Sequence, residues 1–197
     1  ASFATAPKTR LSSPIKPAVG IYPTGRKPGT VFKDCDYCPE MVVVPQGGFM
    51  MGDLDGGGGD DEKPVHRVDI NYSLAVGKFE VTQAQWRAVT GDNPSYFKGD
   101  AQPVETISWN DTQQYLNKLN NRLGLTGRRD RYRLLSESEW EYVARAGTTT
   151  PFYFGNQISR KQALFGGGFV ASRSFPPVDA GHYPPNSFGL HEVHGNV

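Results

Sequence analysis

The sequence predicts one loop-rich α+β domain, and three observations carry that prediction. Glycine (23) and proline (15) are both abundant in 197 residues and the hydrophobic share is only 37%, so frequent turns and short regular elements are expected. Apolar, β-branched runs such as Met41-Val-Val-Val44 sit between turn signals, as the strands of a small sheet do. Cap signals at Thr82, Ser108 and Ser136 each open a stretch with apolar residues at helical spacing. A chain of this length supports one real core, and two would be crowded.

Residues 1–30 mix Pro, Ser, Thr, Gly, Lys and Arg with little apolar periodicity and read as an extended arm or linker, with Ile21, Tyr22, Val31 and Phe32 as its only anchors. The domain proper is placed at residues 31–197. Cys35 and Cys38 are the only cysteines, and a single Cys-x-x-Cys serves as half a zinc site, a redox pair or a local disulfide. There is no second cysteine pair for a four-cysteine zinc site. Thioredoxin-like chemistry wants a strand before the pair and a helix after it, whereas Pro39 and the valine run indicate a loop entering a strand. A short structural disulfide is the preferred reading, and it places folding in an oxidising compartment, periplasmic or secreted.

Met41–Val44 and Phe49–Gly52, joined by Pro45-Gln-Gly-Gly48, read as a hairpin at one edge of the core. Asp53–Glu62 is acidic and glycine-rich, but its spacing is not that of an EF-hand, so it reads as a solvated loop. Pro64–Ile70 alternates as a half-buried strand, with His66 a structural histidine. Val76–Thr82 reads as a further strand, and Thr82 with Gln85 makes a capping box for a helix carrying Trp86 and Val89 and stopping at Gly91. Glu80 is expected to be a buried structural carboxylate, paired with backbone or with Arg133 or Arg145, rather than a general base.

Ser108 with Asp111 caps the longest helix, whose Trp109, Leu116, Leu119 and Leu123 share a face and which ends at Gly124. Gly127–Arg131 is a charged, solvated turn. Ser136 with Glu139 is a second strong capping box; Trp140, Val143 and Ala144 form the buried face of its helix, and Gly147 supplies the left-handed stop. Beyond it, Phe152, Tyr153 and Phe154 read as a plug in a loop-rich core, and residues 165–175, 176–181 and 183–190 as loops and turns held by their neighbours. His191 and His194, with His182, have nitrogens to offer a metal if the segment is helical; two exposed histidines in a turn are the preferred reading.

Lys and Arg (21) balance Asp and Glu (20), and no basic stripe is interleaved with aromatics, so nucleic acid is not an expected partner. No apolar run approaches the roughly 20 residues of a membrane span, and the first residues lack the apolar core of a signal peptide.

The stretch from Tyr132 to Gly147, with its Tyr-Arg-Leu and Glu-x-Glu-Trp-Glu-Tyr-x-x-Arg-x-Gly, resembles the signature of the formylglycine-generating enzyme (sulfatase-modifying factor) family. Met41–Gly52, Pro64–Trp86 and Asn186–Val197 match the same family in the same order. The resemblance implies a C-type-lectin-like fold: a small twisted sheet, two main helices and long ordered loops. It also implies enzymes that oxidise a substrate cysteine to formylglycine with copper held by a C-terminal cysteine pair, since thiolates suit copper(I).

This chain matches the late family segment at Asn186, Gly189, Leu190, Gly195, Asn196 and Val197 and stops before the Trp-Glu-Trp stretch, the Arg-Gly-Gly-Ser strand and those cysteines. The domain is therefore read as incomplete at its C-terminus, with no catalytic residue of its own; copper enters only if a further segment carries the cysteines. The family's calcium chemistry falls on Glu192, Gly195 and Val197 as a partial site, its last glutamate lying beyond this terminus. A second family site begins with Asn where this chain has Leu164, and is not expected to fill. The expected function is a non-catalytic structural or ligand- or protein-binding scaffold, its partner a protein or peptide ligand or a complementing C-terminal chain; the alternative is the front of a copper-dependent oxidase converting a sulfatase cysteine to formylglycine. In either case Leu190, Val193 and the Trp140 face are expected beside an open sheet edge or apolar patch.

Overall fold

The computed structural model describes residues 19–20, 25–165 and 175–197; the anchors Ile21 and Tyr22 and nearly all of the loop from Phe165 to Phe175 lie outside the described residues. The strands are β1 (Val19–Gly20), β2 (Val31–Phe32), β3 (Met41–Val44), β4 (Gly47–Met51), β5 (His66–Ile70) and β6 (Leu74–Gly77), and the helices α1 (Gln83–Thr90), α2 (Trp109–Arg122) and α3 (Glu137–Arg145). The main sheet is antiparallel in the order β1-β6-β3-β2, and β4 and β5 form a separate two-stranded ribbon. The architecture is α+β, as expected.

Side chains alternate across a strand, so the sheet sorts its residues to two faces. Met41, Val43 and Ala75 join Trp86 and Val89 of α1 and Tyr115, Leu116 and Leu119 of α2 in one buried cluster. Val42, Val44, Leu74 and Val76 join Tyr142, Val143 and Ala144 of α3 with Leu190 and Val193 in another. The molecule is thus three layers, with α1 and α2 on one side of the sheet and α3 with the terminal segment on the other.

The anticipated hairpin between Met41–Val44 and Phe49–Gly52 does not form. β3 is an interior strand with all four residues buried, paired to β2 and β6, while β4 pairs with β5 from Gly47↔Ile70 to Met51↔His66. Pro45 has no N–H to extend the ladder, its carbonyl accepts from the Tyr142 hydroxyl (2.9 Å), and the chain swings out over α3. Gly47 permits this passage, because a Cβ there would lie 2.9 Å from the Tyr142 hydroxyl. Likewise the strand read at Val76–Thr82 is centred earlier, at Leu74–Gly77.

All three capping boxes form as read, at Thr82/Gln85, Ser108/Asp111 and Ser136/Glu139. Two faces differ from expectation. Trp109 is 65% exposed, because it occupies the first turn of α2 beyond the layer that Thr112, Tyr115, Leu116, Leu119 and Asn120 fill. Trp140 is half-buried rather than buried, and the large inward side chain of α3 is Tyr142. The left-handed stop of α3 begins one residue early, at Ala146 (φ 47), and continues through Gly147 (φ 91).

The start of α3 is held by an ion pair between the half-buried Arg133 and the buried Glu139. Arg133 donates to both oxygens of Glu139 (2.7 and 2.6 Å), the Tyr72 hydroxyl donates to Oε1 (2.7 Å) and the Ser136 N–H to Oε2 (2.8 Å). Burial alone would push the Glu139 carboxyl up, but these donors outweigh it and hold it at about 2. On the opposite face Cys35 and Cys38 form the expected disulfide, with Cys38 fully buried in the α1/α2 cluster.

Candidate functional site

The terminal segment, Asn186–Val197, has no regular secondary structure, so its side chains fasten it to the scaffold. Asn186 accepts from the N–H groups of Phe188 and Leu190 and donates to the Val143 carbonyl at 2.7 Å, closing a turn onto α3. Leu190 and Val193 then insert under the sheet, and the His191 N–H donates to the Lys78 carbonyl (3.0 Å) beyond the end of β6.

Glu192 is buried in a left-handed backbone position (φ 46); its carboxylate accepts from the N–H groups of Gly181 (2.8 Å) and Tyr183 (2.9 Å). Asn196 (φ 73) donates to the buried Glu80 carboxylate (2.7 Å) and accepts from the Val178 N–H (3.0 Å), while its own N–H donates to the Leu164 carbonyl (2.9 Å). Glu80 is buried, as expected, and a donor to its carboxylate is Asn196. Arg133 is engaged by Glu139, and Arg145 by Glu141 and the Gly52 carbonyl. Asn196 was read only as a match to the family's late segment; its bond to Glu80 escaped the sequence reading because partners 116 residues apart leave no periodic signal, and the acidic Glu80 in an apolar stretch was the available hint. Gly195 is required where it stands, since φ is 74 and a Cβ would collide with the Leu164 carbonyl oxygen.

The three histidines do not converge. His191 packs against Phe79 (ring centroids 4.8 Å apart) with Nδ1 on the Tyr183 carbonyl, whereas His194 lies among Phe152, Tyr153 and Phe154 at 5.3–5.7 Å. Both are half-buried rather than exposed, because the aromatic plug read at 152–154 closes around His194. Tyr153 is pushed up by burial and by the charge of Glu192. Among the described residues no three His, Cys, Asp or Glu side chains gather to hold a metal. Glu192, Gly195 and Val197 offer one carboxylate and two carbonyls, donors of the type calcium takes. With the Glu192 carboxylate tied to Gly181 and Tyr183, they do not by themselves complete a calcium shell.

Beside this segment lies a small apolar cleft, with room for about one water molecule, lined mainly by Val76, Leu135, Trp140, Val143, Leu190 and Val193. The expected open edge is only partly present. β1 pairs with β6 at Ala75 and Val76, His191 follows at Lys78, and Leu190 and Val193 are buried, so the half-buried Trp140 marks the opening. The cysteines lie across the sheet from this cleft.

A family model described as sulfatase-modifying factor enzyme 1-like domain matches residues 27–197. The chain belongs to this family. The sulfatase-modifying-factor domain is 31% identical over 145 residues to the mouse formylglycine-generating enzyme, covering 66% of this chain and 36% of that protein. It is 33% identical over 149 residues to the mouse inactive C-alpha-formylglycine-generating enzyme 2, covering 70% and 44%. A 52-residue stretch is 52% identical to chaperone protein LppX of Paenibacillus barcinonensis, covering 25% and 19%. The chain therefore spans between 19% and 44% of these curated relatives. Among solved structures, PvdO from Pseudomonas aeruginosa superposes with a TM-score of 0.73 at 38% identity, covering 88% of this chain and 74% of that one. Treponema denticola variable protein 1, at 22% identity and a TM-score of 0.59, shares the fold.

Proposed function

We propose that this sulfatase-modifying-factor domain is a non-catalytic structural or binding scaffold whose half-open apolar face beside Trp140 docks against a protein or peptide ligand, or against a complementing C-terminal chain. The observation that carries it is the placement of the two cysteines. Cys35 and Cys38 are bonded to each other and belong to the α1/α2 face, so they offer no thiolate pair to copper on the face where the terminal segment and the cleft lie. The disulfide favours an oxidising compartment, periplasmic or secreted. No helix among the described residues is long and apolar enough to cross a membrane. Similarity to an inactive mouse family member fits a scaffold role.

The second reading, the front part of a copper-dependent oxidase that converts a sulfatase cysteine to formylglycine, is favoured by similarity to the mouse formylglycine-generating enzyme. The deciding experiment is the intact mass of the protein from its native source, with cysteines counted by alkylation before and after reduction. For the scaffold, only the Cys35–Cys38 pair is expected, with no conversion of a cysteine-containing sulfatase peptide when copper is supplied. Additional thiols together with conversion of the peptide would establish the oxidase. Calcium belongs to the same proposal: Glu192, Gly195 and Val197 would hold it and pin the terminus, and calcium chloride is then expected to raise the thermal midpoint of the native-length protein, an effect that a chelator reverses.

A further inference from the structure

The acidic loop between β4 and β5 plays no part in the reading above, and its interior has an unfilled bonding position. Residues 53–63 hold five carboxylates (Asp53, Asp55, Asp60, Asp61, Glu62) against one cation, Lys63. The neck of the loop is fastened: the Asp53 N–H donates to the Glu62 carbonyl (3.0 Å), and α3 grips the preceding residue. Glu141 accepts from the Gly52 N–H (3.1 Å), and Arg145 donates to the Gly52 carbonyl (3.0 Å).

Asp53 is turned inward, its side chain only 5% exposed. Oδ1 accepts from the Gly56 N–H at 2.7 Å. Oδ2 is buried with no hydrogen-bond partner, and the nearest cation, Lys63 Nζ, stands 4.0 Å away, outside hydrogen-bond reach, on a side chain that is 47% exposed. Glu62 approaches the same place: a Cβ on Gly58 would lie 3.1 Å from the Asp53 Cβ and 2.5 Å from Glu62 Oε2. Two carboxylates thus flank a glycine backbone; burial pushes the Asp53 carboxyl up, but the N–H groups of Gly58, Gly56 and Asp55 and the charge of Lys63 outweigh it and keep the group an anion, with Oδ2 still open to a further partner.

We infer that this loop binds a divalent cation of the calcium class, with Asp53 Oδ2 and the Glu62 carboxylate as anionic ligands and main-chain carbonyls and water supplying the others. Hard oxygen donors on a glycine-rich backbone fit that ion. With two converging carboxylates rather than three or four, the affinity falls at the weak end, about 0.1–1 mM. Lys63 competes for the same charge. The site is separate from Glu192, Gly195 and Val197, which belong to the terminal segment.

The test is an NMR titration of the 197-residue chain with calcium chloride, reading the amide resonances of Gly56, Gly58 and Gly59. They are expected to shift and saturate in that range. Asp53→Asn should weaken binding about tenfold or more, and Lys63→Met should tighten it several-fold, with the remaining spectrum of each variant reporting the intact fold. Loop amides that stay still up to about 10 mM calcium, well above the weak limit, overturn the inference. So do equal shifts in Asp53→Asn, or shifts confined to Gly195 and Asn196, which assign the ion to the terminal segment instead.

Discussion

Glu139 shows how one side chain joins an exposed cap to a buried network. Its carboxylate closes the Ser136 box and also accepts from Arg133 and from Tyr72, which arrives from the turn between β5 and β6. Glu139→Gln leaves the half-buried Arg133 with a neutral partner and is expected to cost about 2 kcal/mol in a urea titration at neutral pH. The pH dependence follows from the depressed carboxyl. A group held at about 2 against an ordinary value of 4.5 contributes stability that is complete above 4.5 and is lost as pH falls from there through 2. Wild type should therefore lose stability between pH 4.5 and 2 through this group, whereas Glu139→Gln should lack that component. Equal acid sensitivity in the two proteins would sink the assignment. The capping box was legible in the sequence because its signal is local; Tyr72 was not, because a partner 67 residues away leaves no mark on spacing, and Arg133, six residues before Glu139, was read as a partner of Glu80.

Among elements the same division holds between what is near in sequence and what is far. The three helices were readable from Thr82, Ser108 and Ser136, each with its N3 partner, because cap, face and stop fall within one short stretch. The partner of β4 was not, since Met41–Val44 and Gly47–Met51 look like a hairpin until the Pro45 carbonyl is seen bonded to Tyr142, 97 residues on. The loop from β2 to β3 is a local element, and its disulfide can be weighed as one. It closes a sequence separation of only 3, so it removes little loop entropy from the unfolded chain, and the Cys38 N–H to Cys35 carbonyl bond (3.1 Å) holds the turn as well. The double variant Cys35→Ser/Cys38→Ser is expected to stay folded with a loss of about 2 kcal/mol, read from the shift in the urea midpoint at unchanged slope. Complete unfolding of that variant would mean that the bond carries far more of the domain than its loop length allows.

For the whole molecule, the sheet divides the protein into two unequal cores. The α1/α2 face is closed by a Trp86–Tyr115 stack, with ring centroids 4.9 Å apart, and by long aliphatic side chains from two helices. The other face has one helix and a segment without regular structure, and there the cleft remains, with Trp140 at its mouth. Sequence placed Trp140, Leu190 and Val193 together through the family resemblance, but periodicity alone could not say that two would be buried and one left half-open, because that depends on how far the terminal segment reaches across α3. A half-open apolar face should, in a solution of this chain alone, be covered by another copy as concentration rises. Sedimentation velocity from micromolar to near-millimolar protein is expected to show reversible association. Trp140→Glu should abolish it while the protein stays folded with a lowered thermal midpoint, since Trp140 packs against the α3 cluster but is only half-buried. A wild-type chain that stays monomeric across the whole range, or a Trp140→Glu variant that associates equally, would remove the cleft as a docking surface.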